Sequence, residues 1–333
     1  MTQTSAHSPA AHTAPAHPRS RLRRVLRAVA VVSCLPYLSL KVAWIGGART
    51  GIPEGSALLD HRVTMIVANS VTVLMDTCVI VLALLLTRPW GRRVPAWLLT
   101  FPMWVATGLL MPIMAGFPLQ LVVRAFDGSV PESGSGGRPF LDEWVFGVVY
   151  TGFIVQGLSL GTLFALYARD RWGQVWRGRV AELPRSSADT AQRCFAVTAA
   201  VLALFPITLH LLWACGSTVA LNDGRIADRT SDFHVLEALN ALYPAAAVLG
   251  ALVLAFRRGG ALPVKVPLTL AWLGSGAVTC WGGWLSLASL GGVDDIADRP
   301  TQVMTLAYAV QMIVGILVAT VGARFLAERR GES

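Results

Sequence analysis

A charge held in hydrocarbon costs about 2.5–3.5 kcal/mol on insertion scales, so ionisable residues inside apolar stretches are where chemistry is first sought. Asp76 is the deepest such residue, near the middle of an apolar run over 64–87. A carboxyl there serves as a proton or cation site, or as a packing partner for Asn69, Thr72 or another helix. Lys41 and His210 also interrupt apolar runs, and each shares a helix face with a tryptophan three residues on, Trp44 and Trp213. Read as chemistry, these two bases flank a cavity near the outer surface that takes an anionic or polar ligand. Read as structure, the lysine snorkels to the interface and the tryptophans join an aromatic belt.

Glu237 and Asn240 stand one helical turn apart in a later run, where Glu237 can reach His210 on a neighbouring helix. The candidate ligand-binding residues are therefore Lys41, Trp44, Asp76, His210, Trp213, Glu237 and Asn240. His61 and His234 fall at the outer ends of their runs. Gln156 and Gln311 lie within two others and read as structural hydrogen-bonding groups. The chain contains no GxxxxGK[ST] loop, HExxH pair or GxSxG elbow. No catalytic residue, metal site or cofactor is expected.

The elements that must hold these residues follow from composition. Of 333 residues, 54% are hydrophobic and 14% charged, and the mean hydropathy is +0.57. Soluble domains carry about a quarter charged residues. The apolar residues come in blocks near the ~20 residues that a helix needs to cross a ~30 Å hydrocarbon core. Backbone groups in lipid must bond internally, which makes such blocks helices, and the alternating strands of a β-barrel are absent. Eight spans are predicted, at 25–46, 64–87, 96–117, 144–167, 194–215, 234–256, 265–289 and 303–325.

Charge orients them. With the N-terminus inside, the inner segments hold 20 Lys and Arg against 5 Asp and Glu, and the outer segments hold 7 against 13. This is the positive-inside pattern, with both termini cytoplasmic in the cell membrane, so the net charge of +9 is topogenic and does not mark nucleic-acid binding. Residues 1–20, with His7, His12 and His17, read as a disordered tail. Residues 168–193 read as a polar cytoplasmic linker, with Trp172 and Trp176 lying on the membrane surface. Cys34, Cys78, Cys194, Cys215 and Cys280 form no CxxC pair and read as small core residues.

A repeat runs through the chain. Tyr150, Gly157, Thr162, Ala165, Arg171 and Gly173 align without a gap on Tyr308, Gly315, Thr320, Ala323, Arg329 and Gly331. Pro95, Trp104 and Gly108 align on Pro263, Trp272 and Gly276, and Lys41, Trp44 and Gly47 on His210, Trp213 and Gly216. The predicted fold is an all-α membrane protein with eight transmembrane helices as two parallel four-helix repeats, 21–167 and 194–333. A four-helix unit crosses an even number of times, so the copies face the same way about a pseudo-dyad along the membrane normal. Gly157 and Gly161, answered by Gly315 and Ala319, predict a tight contact of the fourth and eighth spans near that dyad.

The LPYLSLKVAWIGG segment, Leu35–Gly47, and the Ala/Arg/Gly/Val-rich make-up resemble uncharacterised multi-span membrane proteins of high-GC actinobacteria, a likeness that implies no activity. A duplicated four-helix unit is also similar to the haem A synthase architecture, and Asp60-His61-Arg62 resembles its acid-His-Arg segment. Bis-histidine ligation of haem would lack partners here, because spans four and eight hold no histidine. Two function classes lead. One is a permease for a small solute, with a hydrated cavity between the repeats lined by Lys41, His210, Glu237 and Asp76. The other is a non-catalytic component or anchor for a protein partner, built as a closed bundle. An enzyme acting on a lipid or quinone is a third, requiring acids and His61 or His234 to meet at the outer interface.

Overall fold

A computed structural model describes residues 18–54, 56, 59, 62–127, 141–184, 190–227, 229–290 and 296–331. The chain is all-helical, 84% helix, and among the described residues there is no strand. The long helices are α1 (Pro18–Ile45), α2 (Arg62–Thr87), α3 (Ala96–Asp127), α4 (Glu143–Trp172), α5 (Thr190–Ala214), α7 (Ser231–Phe256), α8 (Lys265–Leu290) and α9 (Gln302–Gly331), with the one-turn α6 at Asp223–Ala227. They run alternately up and down, so that Arg23 near the start of α1 meets Asp170 near the end of α4, and Gln192 near the start of α5 meets the Val321 carbonyl two thirds of the way along α9. The N-terminal tail, including His7, His12 and His17, lies outside the described residues, as do Asp60 and His61.

Seven helices are long and apolar enough to cross a membrane, which makes this a multi-pass membrane protein. The eighth long helix, α8, is left out although it has 26 residues, because Gly, Ser and Trp lower its hydropathy. Those small residues are its packing surface. It touches α3, α7 and α9. A Cβ at Gly274 would lie 2.6 Å from the Tyr243 carbonyl oxygen, and one at Gly282 2.6 Å from that of Tyr308. Neighbouring helices approach α8 closely only because these side chains are missing.

Two expectations about packing change. The fourth and eighth spans, α4 and α9, do not form the central contact. Gly157 packs instead on Met114, nothing lies near Gly161, and Gly315 packs on Thr279 and Ser275 of α8. The close crossing is α3 on α8: a Cβ at Gly108 would sit 2.3 Å from the carbonyl oxygen of Gly276, its aligned mate. Small-xxx-small spacing identifies a face able to pack tightly but not its partner. The cysteine expectation holds only for Cys34; Cys78, Cys194 and Cys215 are exposed on the outer surface of the bundle.

Helix ends differ too. α3 runs ten residues past its predicted span, through Asp127. It tolerates Pro102, Pro112 and Pro118 because neighbouring groups in a membrane bundle re-satisfy the freed carbonyls. The linker is a docked cap. The Val180 and Ala181 amides donate to Leu262 and Gly260 oxygens at 2.9 and 3.0 Å, and Val180 is fully buried. Trp176 packs on the α5–α7–α9 core, and Trp172 lies between the Arg171 and Arg330 guanidiniums. Both tryptophans are half-buried against protein groups.

Candidate functional site

Lys41 and His210 end their helices in the same way. Gly47 and Gly216 take φ of +95° and +93°, the left-handed cap that a residue without Cβ adopts at no steric cost. Beyond each cap the indole N–H of Trp44 or Trp213 donates to a loop carbonyl, Thr50 or Val219, at 2.8 Å in both cases. Both tryptophans are buried, at 5% and 0% exposure. They fasten these loops to helices and do not form an interfacial belt. Lys41 and His210 are buried as well, which removes the snorkelling alternative.

The two bases meet different surroundings. His210 on α5 pairs through Nδ1 with Glu237 Oε2 on α7, and Gln311 on α9 lies 2.8 Å from its Nε2. One tautomer serves both bonds: Nδ1–H donates to the carboxylate and Nε2 accepts from the Gln311 amide. Arg225 on α6 reaches the other carboxylate oxygen at 3.5 Å. The Trp213 ring stands edge-on to the imidazole, its centroid 5.1 Å away. His210 and Glu237 are 3% and 2% exposed, so the pair is buried and its carboxylate is met on both oxygens, with the partly exposed Arg225 at one end. Asn240 is half-buried and takes no part in these bonds. His234 Nδ1 faces the Trp213 and Ala214 carbonyls and so caps α5.

In the first half, the Lys41 ammonium lies 4.5 Å from the Tyr37 ring centroid. Asp76, on α2, is hydrogen-bonded by Gln156 from α4 and lies within the electrostatic reach of Lys41. Its Oδ2 is buried with no hydrogen-bond partner. Buried polar atoms are rarely left so, and each one costs about 1–3 kcal/mol. Asp76 forms part of the wall of a cavity of about 500 Å³. The cavity exists because α2 and α3 scarcely touch, whereas α7 and α8, their counterparts in the alignment, pack along much of their length. Its floor is α8, through Trp281 and Trp284, and Phe101 and Phe153 complete an aromatic lining. Leu74 and Phe101 are exposed at the rim, so the mouth opens on the apolar outer face between α2 and α3.

The seven candidates therefore do not converge. Asp76 is the one that lines the cavity. Lys41 stands behind it, and His210, Glu237 and Trp213 form a separate, filled cluster in the other half. Several groups escaped sequence reasoning. Arg225 sits in a loop with no distinguishing pattern, and Trp281 and Trp284 read as ordinary apolar span residues. Gln156 and Gln311 carried a signal, an amide in each fourth helix, but their spacing differs by three residues and hides the shared role.

Comparison with known protein families, curated proteins and solved structures finds no match.

Proposed function

We propose that this protein is a permease for a small solute, and that its site is the Asp76 cavity in the seam between two equivalent four-helix units. The supporting observation is the Asp76 carboxylate: buried at mid-helix, one oxygen without a partner, on the wall of a cavity large enough for a small molecule. Structural carboxylates in hydrocarbon are normally met on both oxygens, as Glu237 is; one with an oxygen unmet beside open space is arranged for something that comes and goes.

The architecture belongs to the same proposal. The chain crosses the plasma membrane eight times, α8 included, with both termini and the docked linker in the cytoplasm, where the arginine excess lies. The matching caps at Gly47 and Gly216 and the meeting of Gly108 with Gly276 support a duplication. A residue touching its own repeat mate is what a two-fold axis passing between them requires. That axis runs through the α3–α8 crossing, beside the cavity.

The test is thiol accessibility. With the native cysteines replaced, Thr72→Cys places a thiol on the cavity wall, and Arg92→Cys places one in the arginine-rich α2–α3 loop. A charged, impermeant methanethiosulfonate is applied to right-side-out and inverted vesicles. The permease reading expects Thr72→Cys to react from at least one side, where the cavity opens to water to exchange its solute, and Arg92→Cys only in inverted vesicles. A Thr72→Cys silent from both sides would leave the protein as a non-catalytic membrane partner, a role for which the exposed Trp90, Arg92 and Arg93 supply a surface.

A further inference from the structure

We infer that the Asp76 cavity takes a lipophilic amine: a primary ammonium on an apolar body, reaching the site sideways from the bilayer between α2 and α3. This deepens the permease reading by naming the class of solute.

Three observations carry it. First, the vacant hydrogen-bonding capacity is an acceptor. Asp76 Oδ2 has no partner and is covered, so a turn of the Asp76 side chain presents it to the cavity; the Thr72 hydroxyl already donates to the Ala68 and Asn69 carbonyls, and the Trp281 N–H donates to the Leu109 carbonyl at 3.2 Å. No Lys, Arg or His lines the cavity, and the Lys41 ammonium is held over the Tyr37 ring. The ligand group that fits is therefore a donor, and beside a carboxylate the strongest donor is a cation. Second, Phe101, Phe153, Trp281 and Trp284 line the same cavity as this acid, and aromatic rings favour a cationic head. Third, Leu74 and Phe101, both apolar and exposed, stand at the mouth, and Leu74 lies mid-way along a membrane-spanning helix, so on this inference the solute arrives from hydrocarbon. A molecule already dissolved in the bilayer gains nothing from moving its tail into another apolar environment. Selection must then rest on the head group, and a phosphate beside Asp76 would be repelled. This favours a free amine over an amine-headed phospholipid.

The experiment uses the full chain in phosphatidylcholine nanodiscs and reads tryptophan fluorescence, since Trp281 and Trp284 line the site. The quenchers are 12-bromododecylamine, 12-bromododecanol and 12-bromododecanoate. The inference expects saturable quenching by the amine, weakened about tenfold or more by Asp76→Asn through loss of one charge-assisted contact. It expects the same loss with Ala106→Phe, which fills the cavity and keeps the acid. The alcohol and carboxylate should show only the non-saturating quenching of simple partitioning. Size exclusion and an unchanged melting temperature establish that each variant is folded, and either variant alone suffices. Equal saturation by alcohol and amine, or an amine affinity indifferent to both substitutions, overturns the amine assignment. Thr72→Cys labelling from either side would still leave the permease reading standing in that case. Displacement of the amine by added phosphatidylethanolamine supports an ammonium site and identifies lipid as its source; no displacement supports the free amine.

Discussion

The helices before and after the linker carry the same kinds of residue in the same order and surround them differently. Each set has a base near the end of its first helix, an acid on its second and a glutamine on its fourth. In the second half His210, Glu237 and Gln311 bond directly and Arg225 completes the set. The core beneath is rich in alanine, with Ala199, Ala203, Ala247 and Ala251 fully buried, and Gly250 and Gly274 let α7 lie against α8. In the first half the acid sits deeper in its helix, the base stays over an aromatic ring, and bulkier Leu82, Leu99, Met103 and Leu160 fill the core. There α2 stands away from α3, and Asp76 faces the gap. One half is built for stability. The other keeps a carboxylate oxygen without a partner beside an open space, a combination that suits a binding site and that a scaffold avoids.

The largest effect that sharpens this contrast is expected at Glu237. Glu237→Ala leaves the buried His210 Nδ1–H and the Arg225 guanidinium without their acceptor and should cost about 3 kcal/mol in detergent unfolding, as stranding a buried donor does. Asp76→Asn removes a charge that has an unmet oxygen and should cost less than about 1 kcal/mol, or even stabilise the protein. Similar losses for the two would erase the distinction between scaffold and site. A middle-sized effect is expected from filling the interfaces. Gly250→Leu meets the Pro267 carbonyl and the Ala271 backbone within 3 Å and should cost about 1–3 kcal/mol or more. Ala106→Phe projects into open cavity and should leave the melting temperature nearly unchanged. The smallest effects are the most informative about duplication. Trp44→Phe and Trp213→Phe each remove one indole-to-carbonyl bond of the same length and should each cost about 0.5–1.5 kcal/mol. Clearly unequal losses would argue that the two caps are not equivalent structures.

Much of the fold was legible. The apolar blocks place every long helix, and α8 is recovered by its length and loop signals even though glycine and tryptophan depress its hydropathy. The pairing of Glu237 with His210 was accessible because both fall near the same end of helices that are neighbours in the chain. The common cavity for Lys41, Asp76, His210 and Glu237 was not correct. Helical periodicity says which residues share a face, but not which helix that face meets. The same gap explains why Gly157 and Gly315 suggested an α4–α9 contact when each glycine packs on a different neighbour. The linker looked like a polar tether because two short backbone bonds to a distant loop leave no pattern in composition.

The positions of the long helices and the matching order of residues along the chain come from local chemistry: apolar length, the cost of charge in lipid, and glycine at helix ends. Where empty space lies is a different kind of property. It depends on how side-chain volumes from several helices add up at one depth, and no single segment carries that sum. The separation of α2 from α3, and with it the exposure of Asp76 to a cavity, arises only when Leu and Met on one side and Gly and Ala on the other are packed against the same central helices.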